Sequence, residues 1–540
     1  MTRRSQPLQS PARRAPTEVN AWILGSSIAS LASAVHLICD AKVPASQIHI
    51  FESHSVAGDG MISTGNPVAG YDYRAGCMPT FSDSSMRRLL ALVPSTTSSN
   101  KSLLEDIERF NVEKASQESP TTLVLTRGNY RLEILETKKF GVKLKDRIDL
   151  VSLMLKTEKC LGRKRIEELF DKRFFNNYCN TDEGNNRFSF QPWHSAAEFR
   201  RCLRGYLSDF RSLNTKKILD CTRYNNYESI VVPIVQFLQN QGVDFRFCHR
   251  VTDIETHSAS GVESVSAIHT VQNGLEGVIK VCPTDLVIVS IGSITSGSSS
   301  GTNRSSPPPS SMEPEIALDE NWSLWLNLGT KNPKFGNPYN FCTHARGSRL
   351  ETFTVTLKGA EFFDRFFQLT DNRLGLGTLV SFKRSHWMIS LCIPHQPFFS
   401  DQPNDVHVFW GYSLLPSHEG NFVKKPMILC SGEEIMTELL WHLDFPMEPI
   451  LNNSITVPCV MPRMSASLLP RTITDRPSVI PENMTNLALV GQFVEIEDAT
   501  AVSMDYGVRG VQVALNRLMC IEGPPVIRRG LHAAFSPFWR

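Results

Sequence analysis

The first hint of chemistry in this chain comes from glycines that follow apolar strands. The turn Gly25-Ser26-Ser27-Ile28-Ala29-Ser30 stands between the apolar run Ala21-Trp22-Ile23-Leu24 and a stretch with Ile28, Leu31, Ala32, Val35 and Ile38 at helical spacing. A dinucleotide-binding turn wants G-x-G-x-x-G there, so that a pyrophosphate can approach backbone N–H groups at a helix N-terminus. Only the first glycine is present. Ser27 and Ser30 hold the other two places, and a serine Cβ hinders that approach without excluding it. A second apolar strand, Ile48-His49-Ile50-Phe51, ends in Glu52, 27 residues after Gly25, where a carboxylate that binds ribose hydroxyls is expected. The alternative is a Rossmann-like unit whose turn only packs. Two further pieces favour a cofactor: the loop Val56-Ala-Gly58-Asp-Gly60, and a late strand Leu487-Ala-Leu-Val490 ending in Gly491-Gln-Phe493. Their order is that of flavoproteins of the two-dinucleotide-binding class, which points to FAD rather than NAD.

The elements that would position these residues are set in an ordinary composition. At 540 residues the chain exceeds a usual single domain, and 41% hydrophobic with 20% charged residues excludes a disordered or collagen-like protein. Lys and Arg number 56 against 54 Asp and Glu, with no basic block through the body, so nucleic acid is not the expected partner. Thirteen scattered cysteines, an odd count without a C-x-x-C, suggest reduced thiols in a cytoplasmic protein and no zinc site. No apolar run reaches the roughly 18 residues that span a bilayer. The polar stretch Met1–Thr17, with Arg3, Arg4, Arg13 and Arg14, reads as a disordered leader and not a signal peptide. From Lys101 to Phe190 the text is helical and charged, with Arg165–Phe175 as an example. Over Glu198–Phe210, residues Phe199, Cys202, Leu203, Tyr206, Leu207 and Phe210 share one apolar helix face. Strand-like and helical segments alternate through Ile230–Leu238, Val251–Ile254 and Leu286–Ser290. The low-complexity stretch Ser293–Ser311 reads as a linker or a mobile lid.

Longer motifs carry a resemblance. They include Trp193-His-Ser-Ala-Ala-Glu-Phe-Arg-Arg201, Tyr224-Asn-Asn-Tyr-Glu-Ser229, Asp285-Leu-Val-Ile-Val with Gly292-Ser-Ile-Thr295, and Trp322-Ser-Leu-Trp325. Phe335-Gly-Asn-Pro338, Cys430-Ser-Gly-Glu-Glu434 and Asp475-Arg-Pro477 complete the set. From about Ala21 to Leu518 the chain resembles the FAD-dependent fatty acid hydratases, also called oleate hydratases or myosin-cross-reactive antigens. The resemblance implies an α/β (α+β multi-domain) fold, with a Rossmann-like FAD-binding domain, an inserted substrate domain and a helical C-terminal region. It implies a substrate that is a long-chain unsaturated fatty acid or related polyene acid, hydrated across a double bond. Peripheral membrane contact and a homodimer are compatible with it.

The implied division is a leader over 1–20, an FAD-binding first part over 21–100 and a mainly helical substrate or lid region over 101–220. An FAD-binding second part follows over 221–300, then a substrate-binding domain over 301–455, then FAD-binding closure and C-terminal helices over 456–540. The family is similar in using a Glu as water base and a Tyr as acid. Here Arg74-Ala-Gly76-Cys-Met78-Pro-Thr80 puts Met78 at the Glu position, and Arg200-Arg201-Cys202 puts Cys202 at the Tyr position. A thioether cannot take a proton from water, whereas a thiol can in principle donate one. Cys202, Tyr206 and Met78 are thus the catalytic candidates, with a buried thiol, core packing and pocket lining as their bland alternatives. The cofactor set is Gly25, Ser27, Ile28, Glu52, Gly58, Gly60, Gly76, Val251, Ser293, Gly491 and Phe493. His194 and Glu198 read as structural. Tyr224, Tyr227 and Glu228 read as packing or a channel, and Asp83 as a surface cap or a replacement carboxylate. The function expected is hydration. The alternatives are a double-bond isomerase or other diverged flavoenzyme on a polyene or polyketide substrate, and a non-catalytic lipid- or flavin-binding homologue.

Overall fold

A computed structural model describes residues 14–74, 84–98, 100–114, 122–127, 132–135, 144–175, 190–207, 222–308, 318–370, 379–497, 499–501 and 503–521. The two apolar four-residue runs become neighbouring parallel strands, β1 (Ala21–Leu24) and β2 (Ile48–Phe51), joined through helix α1 (Ile28–Cys39). Three later segments complete a parallel five-stranded sheet: β3 (Asp244–Arg246), β4 (Leu286–Ser290) and β5 (Leu487–Val490), in the order β5-β4-β1-β2-β3. Every residue of β1, β4 and β5 is buried, which is why these strands read as unbroken apolar runs and not as alternating ones. Helix α1 is buried along most of its length and packs on a late helix, α3 (Asp505–Leu518), where Gly507 lets the two backbones approach. The sheet, α1 and α3 share one core. This is a Rossmann-like α/β arrangement.

A second, larger sheet is built from residues between β2 and β5. Its strand order is Ser299–Ser300, Ser454–Met461, Leu350–Lys358, Val406–Ser413, Ile389–Cys392, Leu379–Phe382, Thr122–Arg127 and Leu132–Leu135. Pairing is antiparallel except between Leu379–Phe382 and Thr122–Arg127. Alternate residues of Leu350–Lys358 face two different cores. Phe353, Val355 and Leu357 join a phenylalanine-rich cluster, while the hydroxyls of Thr354 and Thr356 accept the Tyr73 and Tyr71 N–H groups. A three-stranded antiparallel sheet (His249–Ala259, Val262–Gln272, Leu275–Lys280) precedes β4.

Several sequence expectations change here. Within the expected leader, residues 14–20 are bound to the body, where Arg14 donates to the carbonyls of Thr284, Leu518 and Thr485 at 2.8–3.1 Å. The stretch 101–220 is not all helical, since it supplies two strands to the large sheet. Arg165–Phe175 forms single turns, Ile166–Glu168 and Lys172–Phe174, and not one helix. The serine-rich stretch from Ser293 is no free linker over its described part. Ser299–Ser300 pairs with Ser454–Met461, and the carbonyls of Thr302 and Asn303 accept the N–H groups of Gly432 and Glu433. The 455/456 boundary falls inside the strand Ser454–Met461. Among the described residues no helix is long and apolar enough to cross a membrane.

Candidate cofactor-binding and active site

The carboxyl ends of β1, β2, β4 and β5 bring Gly25, Glu52, Ser290 and Gly491 to one edge of the sheet, where parallel α/β folds bind nucleotides. Ser27 is the N-cap of α1, and its hydroxyl also meets those of Ser290 at 2.9 Å and Ser30 at 3.3 Å. The Ile28 and Ala29 N–H groups have no acceptor among the described residues, which leaves an anion-seeking helix start. Ser30 is fully buried in the helix packing.

Glu52 is buried at the end of β2, and its carboxylate is densely bonded. It accepts from the Ser26 hydroxyl, from the His54 N–H at 2.8 Å, from the Ser53 hydroxyl at 3.2 Å and from the His54 ring at 3.0 Å. Burial opposes its charge, but the bonds from His54 and Ser26 outweigh burial and hold its pKa below the usual carboxylate value. The hydrogen bond to Glu52 raises His54 to about 9. Ser26 is the residue that sequence reasoning passed over. Its hydroxyl also accepts the Gly58 N–H at 2.9 Å, so it ties the first glycine turn to the second glycine loop.

Gly58 has φ +127, and a Cβ there would lie 2.8 Å from the Tyr227 ring; a Cβ on Gly60 would overlap the Thr295 hydroxyl at 1.8 Å. These glycines therefore let protein segments close on one another around the loop. Tyr227 opens a π-helical turn, Tyr227–Val231, and Glu228 accepts the Ser400 N–H, so this motif joins the glycine loop to the larger sheet's side. Asp59 lies between the glycines, within 3.5 Å of the Ser293 hydroxyl. Burial, together with Asp319, Glu52 and Glu320, pushes its pKa up to about 8. Val251 is buried two residues beyond His249, whose N–H donates to the Glu52 carbonyl. Phe493 is buried against Trp322, Trp325 and Phe341, and its ring fills the space beside Gly292.

A sequence model described as the MCRA family matches residues 18–515. The chain belongs to the MCRA family. It is similar to an oleate hydratase of Streptococcus pyogenes serotype M49 (strain NZ131), with 31% identity over 96% of this chain and 88% of that one. It is also similar to a linoleate hydratase of Lactiplantibacillus plantarum, with 27% identity over 92% of each chain. Among solved structures, a putrescine oxidase variant from a redesign of cofactor binding superposes with a TM-score of 0.50 at 10% identity, covering 93% of this chain and 98% of that one. That likeness concerns the fold alone.

In this MCRA-family chain the Trp193–Arg201 motif ends inside helix α2 (Ala196–Leu207). Cys202 is buried beside Phe170, Phe174, Phe199 and Leu468, and burial raises its thiol pKa well above the ordinary value. Tyr206 lies in the same helix, but its side chain is outside the described residues, as are Gly76, Met78 and Asp83. The chain enters that stretch from Tyr73, whose ring packs on Phe398 and Trp410 and whose hydroxyl accepts from the Asn226 amide. The other side of α2 is buried as well. Glu198 accepts from Arg471 at 2.7 and 2.9 Å and pairs with Arg476 at 3.2 Å, and these arginines hold it ionised, at about 2, against its burial. His194 is buried and its pKa is lowered to about 3 by desolvation, so it is a neutral packing residue.

Proposed function

We propose that this protein binds FAD and acts on a double bond of a long-chain unsaturated fatty acid or related polyene acid, by hydration. The observation that carries the reading is Glu52, ionised and bonded to Ser26 and His54 at the strand end beside the α1 N-terminus. A diphosphate fits the N–H groups of Ile28 and Ala29, the Glu52 carboxylate suits ribose hydroxyls, and Gly491 to Phe493 would lie toward the flavin end. The residues present thus fit the cofactor. Because hydration changes no oxidation state, bound FAD would supply a scaffold and an electrostatic partner.

The hydratase names of the relatives support the reaction class. Hydration needs a proton delivered to one alkene carbon and a base that takes a proton from the water attacking the other. Met78 offers no base, and the Cys202 thiol holds its proton more tightly than a free thiol. The same two residues favour a second reading, a double-bond isomerase or a non-catalytic binding homologue.

FAD titration followed by flavin fluorescence quenching tests the first step. The parent should bind, and Glu52→Gln should bind about tenfold more weakly through loss of a charged hydrogen-bond acceptor. A protein that stays colourless and unquenched sinks the FAD reading. Oleic acid incubated with the loaded protein should gain water slowly or not at all, since each missing acid–base group is worth about 10²- to 10⁴-fold. Robust formation of a 10-hydroxy acid would show that other residues carry the proton transfers.

A further inference from the structure

Residues of two motifs that the proposed chemistry leaves unused, Glu198 and Arg201 of the first and Arg476 of the second, converge on one buried ionic assembly. The Arg201 side chain is 1% exposed, and its guanidinium joins α2 to two other chain segments. Its Nε and Nη2 donate to Glu158 at 2.7 and 2.6 Å, Nη2 also bonds Glu495, and Nη1 lies 3.3 Å from the carbonyls of Ile496 and Ala499. A second route runs in parallel. Arg471 bridges Glu198, one turn before Arg201 on α2, to Glu495 at 3.1 Å. Tyr506 of α3 also holds this loop, donating to the Val494 carbonyl at 2.7 Å and accepting the Ile496 N–H at 3.2 Å. Residues 494–499 follow directly on Gly491-Gln-Phe493 at the end of β5, and Cys202 is the residue next to Arg201.

We propose that Arg201 is a positioning residue that fixes helix α2, with Cys202, against the loop leaving the cofactor cradle, so that the substrate-side helix and the flavin environment are set together. This rests on the FAD reading above. The physical warrant is the planar fork of arginine, which can bond carboxylates and carbonyls from several segments in one fixed geometry. A lysine keeps the charge but is a point donor on a flexible stem, so it cannot hold α2 in register with both segments. Burying so many charges is expensive in desolvation and gives little net stability over apolar packing, whereas it does impose a single geometry.

The test compares the full-length parent with Arg201→Lys, reading the visible spectrum of bound FAD, FAD affinity and the melting of the cofactor-free protein. Arg201→Lys should fold, weaken FAD binding about tenfold and alter the fine structure of the flavin absorbance band. In the unmodified protein, hydrogen exchange should show that FAD addition protects amides of 196–207 as well as those of the cradle, a readout that does not depend on the variant folding. A folded Arg201→Lys with the parent's spectrum and affinity overturns the proposal. Protection confined to the cradle, with α2 unchanged, overturns it too. A parent that binds no FAD fails the cofactor reading itself, and this proposal falls with it.

Discussion

Asp59 occupies a left-handed backbone position, φ +48, between two glycines, and its carboxyl is held largely protonated at neutral pH. Burial is the main cause, and Asp319, Glu52 and Glu320 add repulsion. The folded protein therefore keeps a proton that the unfolded chain releases above its ordinary pKa of 3.8. This contribution to stability is complete below that value and is lost as pH rises through about 8. Asp59→Asn removes the titration, so urea unfolding should show the variant gaining on the parent between pH 6 and pH 9. His54, raised to about 9 beside Glu52, is charge-coupled to Asp59, so the difference reports the coupled pair. An unchanged gap across the range would place the Asp59 carboxyl in contact with solvent. Asp59 was not legible as a special residue, because its neighbours at 319 and 320 come from a helix more than 250 positions away.

The α1 N-terminus is the element on which cofactor affinity should turn. Ser27 caps the helix and reaches Ser290, so its hydroxyl is bound into the protein and its Cβ stands where the fingerprint has a glycine. Ser27→Gly should cost only a few tenths of a kcal/mol as a cap change, while FAD binding tightens by about threefold as the backbone becomes more approachable. Calorimetric titration checks this, and weaker binding would show that the serine hydroxyl itself contributes to the cradle. The helix could be read from the spacing of Ile28, Leu31, Ala32, Val35 and Ile38, because its buried stripe repeats at the helical period. Helix α2 was legible too, predicted over Glu198–Phe210 and found over Ala196–Leu207. Its second buried side was not. Glu198 read as structural from its motif, but its partners Arg471 and Arg476, and Glu495 as the partner of Arg201, arrive from the far end of the chain.

At the scale of the molecule, the proposed catalytic pair has to be rebuilt across two regions. Replacing Met78→Glu and Cys202→Tyr together should raise oleate hydration well above either single change, since acid and base act on one transition state. Cys202 is packed among phenylalanines, so the larger tyrosine carries an overpacking cost of about 1–3 kcal/mol. The double variant must therefore first be shown to melt cooperatively and hold FAD. A folded, loaded variant no faster than the parent would mean that the pocket has diverged beyond these positions.

By itself the sequence determined the β1–α1–β2 unit, the late strands β4 and β5, and Glu52 at its strand end. Strands covered on both faces must be continuously apolar, and a turn between such a strand and a helix leaves a local signature. Only the tertiary structure decided the two strands at 122–127 and 132–135, the first of which pairs with Leu379–Phe382 and carries the second, and the ordering of the serine-rich stretch against Ser454–Met461. It alone revealed Ser26 as the link between the glycine turns and the buried ionic lock on α2. Those features are made by contacts that no local period sets, some of them between residues hundreds of positions apart, and a charge or a serine carries no local mark of the partner that will bury it.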